Sequence, residues 1–75
     1  MRRAGTVVAC AQGNAIVQSP DDWHPDLGVS VVDERLERVG RVVDIIGPLD
    51  RPYIVVSPET GEPTALLGEL LYVRT

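Results

Sequence analysis

The side chains able to do covalent or metal chemistry are few in this sequence, and their spacing does not suit it. His24 is the only histidine and Cys10 the only cysteine. A zinc site needs three or four nitrogen, sulfur or carboxylate ligands in register, and one histidine with a distant cysteine does not supply them. Asp21, Asp22 and Asp26 surround His24 in "SPDDWHPDLG" (19–28). Their spacing does not match the EF-hand pattern, so the stretch reads as a solvated acidic loop. No serine–histidine–acid arrangement is visible along the chain. Neither a GxGxxG stretch nor a P-loop occurs. The sequence predicts no enzyme: no catalytic residue, no cofactor and no metal ligand. Cys10 reads as a small apolar side chain within a strand.

The charge points the same way. Eleven acidic residues face seven basic ones, for a net charge of −4, and all seven basic residues are arginines. Nucleic-acid binders usually carry a basic stripe. Arg35, Arg38 and Arg41 instead lie among Asp33, Glu34, Glu37 and Asp44, which reads as a mixed solvated surface. Trp23, Tyr53 and Tyr72 are the only aromatics, and along the chain they do not alternate with the arginines. Trp23 is expected to pack over one end of the fold. An acidic, lysine-free composition suits a halophilic cytoplasm, where salt screens charge within about 3 Å. A GC-rich genome also replaces lysine with arginine, and the sequence leaves both explanations open.

The elements that must organise these residues are short. Seventy-five residues predict one domain, 1–75. A chain of that size buries only roughly 60% of its unfolded surface, and a single cysteine rules out an internal disulfide. No secretory signal is expected at "MRRAG", and no stretch approaches the roughly 20 apolar residues that span a bilayer. A soluble, cytoplasmic protein without membrane contact is expected.

Turn residues divide the chain into apolar runs. "GTVVACA" (5–11) and "AIVQ" (15–18) flank the turn "QGN" (12–14), where Gly13 or Asn14 can take positive φ. "VSVVDE" (29–34), "VGRVVDIIG" (39–47) and "YIVVS" (53–57) follow, separated by "RLER", a candidate tight turn, and by "PLDRP". "ALLGELLYVR" (65–74) has leucines at helical spacing. Gly68 and "LYV" favour a strand there, with a short irregular start. Six short strands at this spacing predict an all-β fold, a small closed barrel.

Such a barrel has one interior, and the sequence carries more apolar surface than it can hold. In "VGRVVDIIGPLDRPYIVV" (39–56), ten of eighteen residues are V, I, L or Y. Alternation puts Tyr53 and Val55 on one face of the fifth strand and Ile54 and Val56 on the other. Leu66, Leu70 and Tyr72 likewise oppose Leu67, Leu71 and Val73. In the fourth strand a β-bulge near Gly40 or Asp44 would sort the faces better. The last three strands therefore predict an exposed apolar face, and such faces mark interaction sites.

The stretches "PDLGVSVVDERLERVGRVVDIIGPLDRPYIVVSP" (25–58) and "LLGELLYVR" (66–74) resemble the archaeal Gar-one family, the small β-barrel subunit of H/ACA ribonucleoprotein particles. The resemblance covers nearly the whole chain from "GTVV". It rests on Gly28, Val32–Asp33–Glu34, Gly40, Val42–Val43–Asp44, Gly47–Pro48, Pro52–Tyr53 and Leu71–Tyr72–Val73, in order. It implies a six-stranded barrel like the second domain of translation elongation factors. It also implies a non-catalytic subunit that binds the catalytic domain of a dyskerin-type pseudouridine synthase. Such a subunit affects loading and release of substrate RNA during guide-directed pseudouridylation of rRNA, with little or no direct RNA contact. The chain lacks the glycine/arginine-rich tails of eukaryotic members. Ile46 stands where the family often has a bulky aromatic. Combined with the apolar surplus, this places Ile46, Gly47, Pro48, Leu49, Pro52, Tyr53, Val55 and Leu66 on the contact face, with Val43 and Ile45 filling the barrel. Isolated copies could pair through the same face. The alternative is a translation-factor-like barrel that binds RNA directly, which calls for a basic or aromatic stripe on one side.

Overall fold

β1, Arg2–Ala11, turns back into β2, Asn14–Gln18, through Gln12 and Gly13. Both turn residues have positive φ, 53° and 81°. That is the geometry of a two-residue hairpin turn whose twist matches its strands. Gly13 is one of the two residues expected to take positive φ; Gln12 joins it, and Asn14 opens β2. The other elements are β3 (Ser30–Val32), β4 (Arg38–Ile46), β5 (Tyr53–Pro58), a 3-10 turn (Pro63–Leu66) and β6 (Leu70–Val73). The computed structural model describes residues 1–59 and 61–74.

All six strands pair antiparallel and close in the order β1-β2-β5-β4-β3-β6. Closure leaves no unpaired edge along which another chain could add. The interior is built from small and branched side chains. Val7, Val17, Val31, Val42, Ile54, Val56, Leu71 and Val73 are essentially inaccessible, with Ala4 and Ala15 between them. Gly40 sits where a Cβ would strike the backbone carbonyl of Ser57, so only glycine lets β4 and β5 approach this closely.

Strand bulges bend the sheet into a barrel. Register shifts fall between Arg3 and Gly5, between Val7 and Ala9, and between Val42 and Asp44. Each extra residue adds local twist and curvature. The bulge in β4 corrects one expectation. Val42 points inward and Ile45 packs against the core, but Val43 is 41% exposed. Val43 is part of the bulge and so faces out with Asp44.

The final run also differs from a continuous strand. Pro63 opens a 3-10 turn ending at Leu66, and β6 begins only at Leu70. Leu66 packs against the core, and the turn lies against β1 and β2, closing the barrel end where β6 begins. Trp23 and Val29 pack against the core at the other end, as expected of Trp23. Arg2 lies 4.1 Å above the Trp23 ring centre, a cation–π contact. Ser19, fully buried, holds this loop. Its hydroxyl lies 2.7 Å from the Trp23 carbonyl oxygen and 2.9 Å from that of Asp21.

Candidate protein-binding face

The strand order decides which apolar side chains meet on the outside. β4 and β5 are neighbours, but β6 lies between β3 and β1. The three strands with an apolar surplus therefore do not form one face, contrary to the expectation from sequence. The neighbours of β5 and β4 on the apolar side are β2 and β1.

The register shows the face row by row. Ala9 lies opposite Ile16, Ile16 opposite Val55, and Val55 opposite Asp44. The bulged residues Val8 and Val43 extend this row at its two ends, 47% and 41% exposed. In the next row Gln18 lies opposite Tyr53, and Tyr53 opposite Ile46. Ile46 is 44% exposed, and Leu49, in the following loop, is 93% exposed. Val8, Ile16, Val43, Ile46, Tyr53 and Leu49 thus make one apolar surface across four strands. A contiguous patch of this kind is unusual on a protein that works alone.

Polar groups frame the surface. The Asp44 carboxylate accepts the Ile45 N–H at 2.8 Å, which turns the acid back toward its own backbone at the bulge. Gln18 Nε2 reaches the Tyr53 hydroxyl at 3.5 Å, a long contact that still orients the ring. Gly47 has φ of 87°, and a Cβ there would lie 2.8 Å from the Tyr53 ring. A side chain at 47 would both strain the backbone and push Tyr53 away.

The eight residues expected on the contact face separate into three groups. Ile46, Gly47, Pro48 and Leu49 are exposed together at the end of β4, beside half-buried Tyr53. Pro52 and Val55 are buried. The Pro52 carbonyl accepts the Ser19 N–H at 3.1 Å, so this proline joins two loops. Val55 faces outward but is covered by its neighbours, with only 9% exposed. Leu66 lies apart, in the 3-10 turn at the opposite end of the barrel from the loop that carries Leu49. The sequence reading missed Val8 and Ile16. Alternation along each strand hinted at both, but their place beside β5 depends on pairing order.

The register also collects charge on the far side. Arg3 on β1, Arg38 and Arg41 on β4, and Arg74 just after β6 are exposed on the outside. Asp33 anchors the turn above them. Its carboxylate accepts the backbone N–H groups of Arg35 at 2.8 Å and Glu37 at 3.1 Å. Burial pushes this carboxyl up, but those N–H groups and the Arg35 guanidinium together outweigh it and hold it below its ordinary value. Glu37 and then Asp33 push the Arg35 guanidinium up in turn.

Among the described residues, no three His, Cys, Asp or Glu side chains gather as a metal site. None of the helices there is long and apolar enough to cross a membrane. No protein-family model and no curated protein matches the chain.

Proposed function

We propose that the barrel is a non-catalytic accessory subunit that docks its β1-β2-β5-β4 face on the catalytic domain of a dyskerin-type pseudouridine synthase. The observation that supports this most is the apolar surface of Val8, Ile16, Val43, Ile46, Tyr53 and Leu49 on an otherwise acidic molecule. The identity of the partner rests on the sequence resemblance. In this reading the protein works in the cytoplasm as part of an H/ACA particle that modifies rRNA under guide-RNA direction. Bound to the synthase, it favours one state of the loop that opens and closes over substrate RNA. It can do so only by making different contacts with the two loop states. Isolated copies at high concentration pair through the same face.

The test is turnover by a reconstituted particle. The wild-type chain is expected to speed multiple-turnover pseudouridylation and to leave single-turnover chemistry nearly unchanged. Ile46→Asp is expected to lose that stimulation. Equal stimulation by the folded Ile46→Asp variant contradicts the reading.

A further inference from the structure

Leu36 stands where a leucine is costly. Its φ is 66°, in the left-handed region that bulky side chains rarely adopt. It is also 50% exposed. The turn around it fixes this conformation. The Leu36 N–H donates to the Asp33 carbonyl at 3.0 Å, and the Asp33 N–H donates to the Glu37 carbonyl at 3.0 Å. The Asp33 carboxylate then accepts the N–H groups of Arg35 and Glu37. Glycine or asparagine would suit the position better and would put no apolar side chain in water. Strain held this firmly is characteristic of segments that present a side chain to a ligand.

Leu36 walls an open groove of about 400 Å³, together with Val29, Ser30, Val32, Arg38 and Arg74. Three of these six side chains are aliphatic and two are guanidiniums. Arg38 pairs with Glu59, and among the described residues Arg74 takes part in no ion pair. A smaller groove of about 190 Å³ shares Val29 and Arg74 and reaches Trp23 and Pro25. The two shared residues join both grooves into one open channel.

We propose that this channel docks an extended segment of a partner protein in which aliphatic and acidic residues stand together. The aliphatic side chain lies against Val29, Val32 and Leu36, and the carboxylate sits on Arg74 and Arg38. Charge complementarity selects the acid, and the apolar wall selects its neighbour. The rest of the chain, at a net charge of −4, repels an acidic segment and so confines it to this rim. A nucleic acid leaves the wall unused: single strands stack their bases on aromatic rings, and none lines the larger groove. A small molecule would be enclosed over most of its surface, whereas this channel is open and continues into a second groove. The Ser30 hydroxyl can bond the segment's backbone. Neither β3 nor β6 takes part in the apolar face, so the inference does not rest on the synthase-binding reading.

The experiment is fluorescence anisotropy with the intact chain and labelled peptides that carry a four-residue core between Gly-Ser flanks. The probes have the cores Leu-Asp-Leu-Asp and Leu-Leu-Asp-Asp. Ser-Asp-Ser-Asp keeps the charge alone, and Leu-Asn-Leu-Asn keeps the aliphatic groups alone. At least one probe is expected to bind about tenfold more tightly than either control. Arg74→Ala should weaken that binding at least fivefold. Leu36→Asn should do the same while suiting the positive φ, so its melting temperature should not fall. Ile46→Asp, on the apolar face, should leave peptide binding intact. Thermal melting of each variant shows that it is folded. Binding of neither probe overturns the proposal. So does equal binding of the charge-only peptide, displacement by oligouridylate at the same concentration as unlabelled probe, or indifference to Leu36→Asn.

Discussion

Asp33 shows how one side chain can hold a turn. Its carboxylate caps two N–H groups that the sheet leaves behind as β3 ends. Because its pKa is lower in the folded state, its contribution is fully present above the unfolded value of about 3.9. The contribution is lost as pH falls through the folded value. Asp33→Asn should therefore lower the melting temperature at pH 7, and the gap to wild type should narrow below about pH 4. Thermal melts at several pH values check this, and a gap of constant size contradicts it. The polar anchors were only partly legible in the sequence. "RLER" marks a candidate tight turn, but the run "VSVVDE" puts Asp33 in the third strand, which ends at Val32 and leaves Asp33 to hold the turn. Ser19 gave no such signal. A serine before a proline reads as a loop, and its burial under Trp23 depends on how the whole end of the barrel closes.

At the scale of elements, the strands were legible because glycine and proline mark their ends. The bulges were harder to place. A bulge was expected near Gly40 or Asp44, and the register does shift between Val42 and Asp44. Counting alternation could not show that Val43 was the residue turned outward. That depends on the hydrogen bonds shared with β5. The start of the last run was ambiguous for a similar reason. Its leucines have helical spacing while Gly68 and "LYV" favour a strand with a short irregular start, and the fold uses Pro63–Leu66 as a 3-10 lid on one end of the core. Leu66→Ala should then cost about 1–2 kcal/mol of stability, for a half-buried leucine losing apolar contact. Chemical denaturation measures this. Affinity for the synthase should not change, since Leu66 packs against the core and is not one of the side chains of the apolar face. A variant with unchanged stability and lost binding would show that the lid assignment is mistaken and return Leu66 to the contact surface.

The whole molecule has two unlike sides. The apolar side was half legible. "VVDIIGPLDRPYIVV" carries Val43, Ile46, Leu49 and Tyr53, and their excess over what one interior holds was visible from sequence. Val8 and Ile16 join them only because β2 pairs with β5 and β1 with β2. The arginine side was not legible. Arg3, Arg38, Arg41 and Arg74 are scattered along the chain, and two of them stand among acids in sequence. Barrel closure brings β6 between β3 and β1, and that single pairing sets Tyr72 among the arginines. A small barrel of valines and alanines has limited stability, on the order of 0.05–0.15 kcal/mol per residue. Leaving this much apolar surface in water is easiest to explain if a protein covers it. The measurement that tests this most directly is the affinity of the purified chain for the catalytic domain of a dyskerin-type pseudouridine synthase, in high salt and without RNA. The wild-type chain is predicted to bind, and Tyr53→Ala, still folded, to bind about thirtyfold more weakly, as a hot-spot loss of about 2 kcal/mol implies. No binding by the wild-type chain, or equal binding by both, would contradict the account.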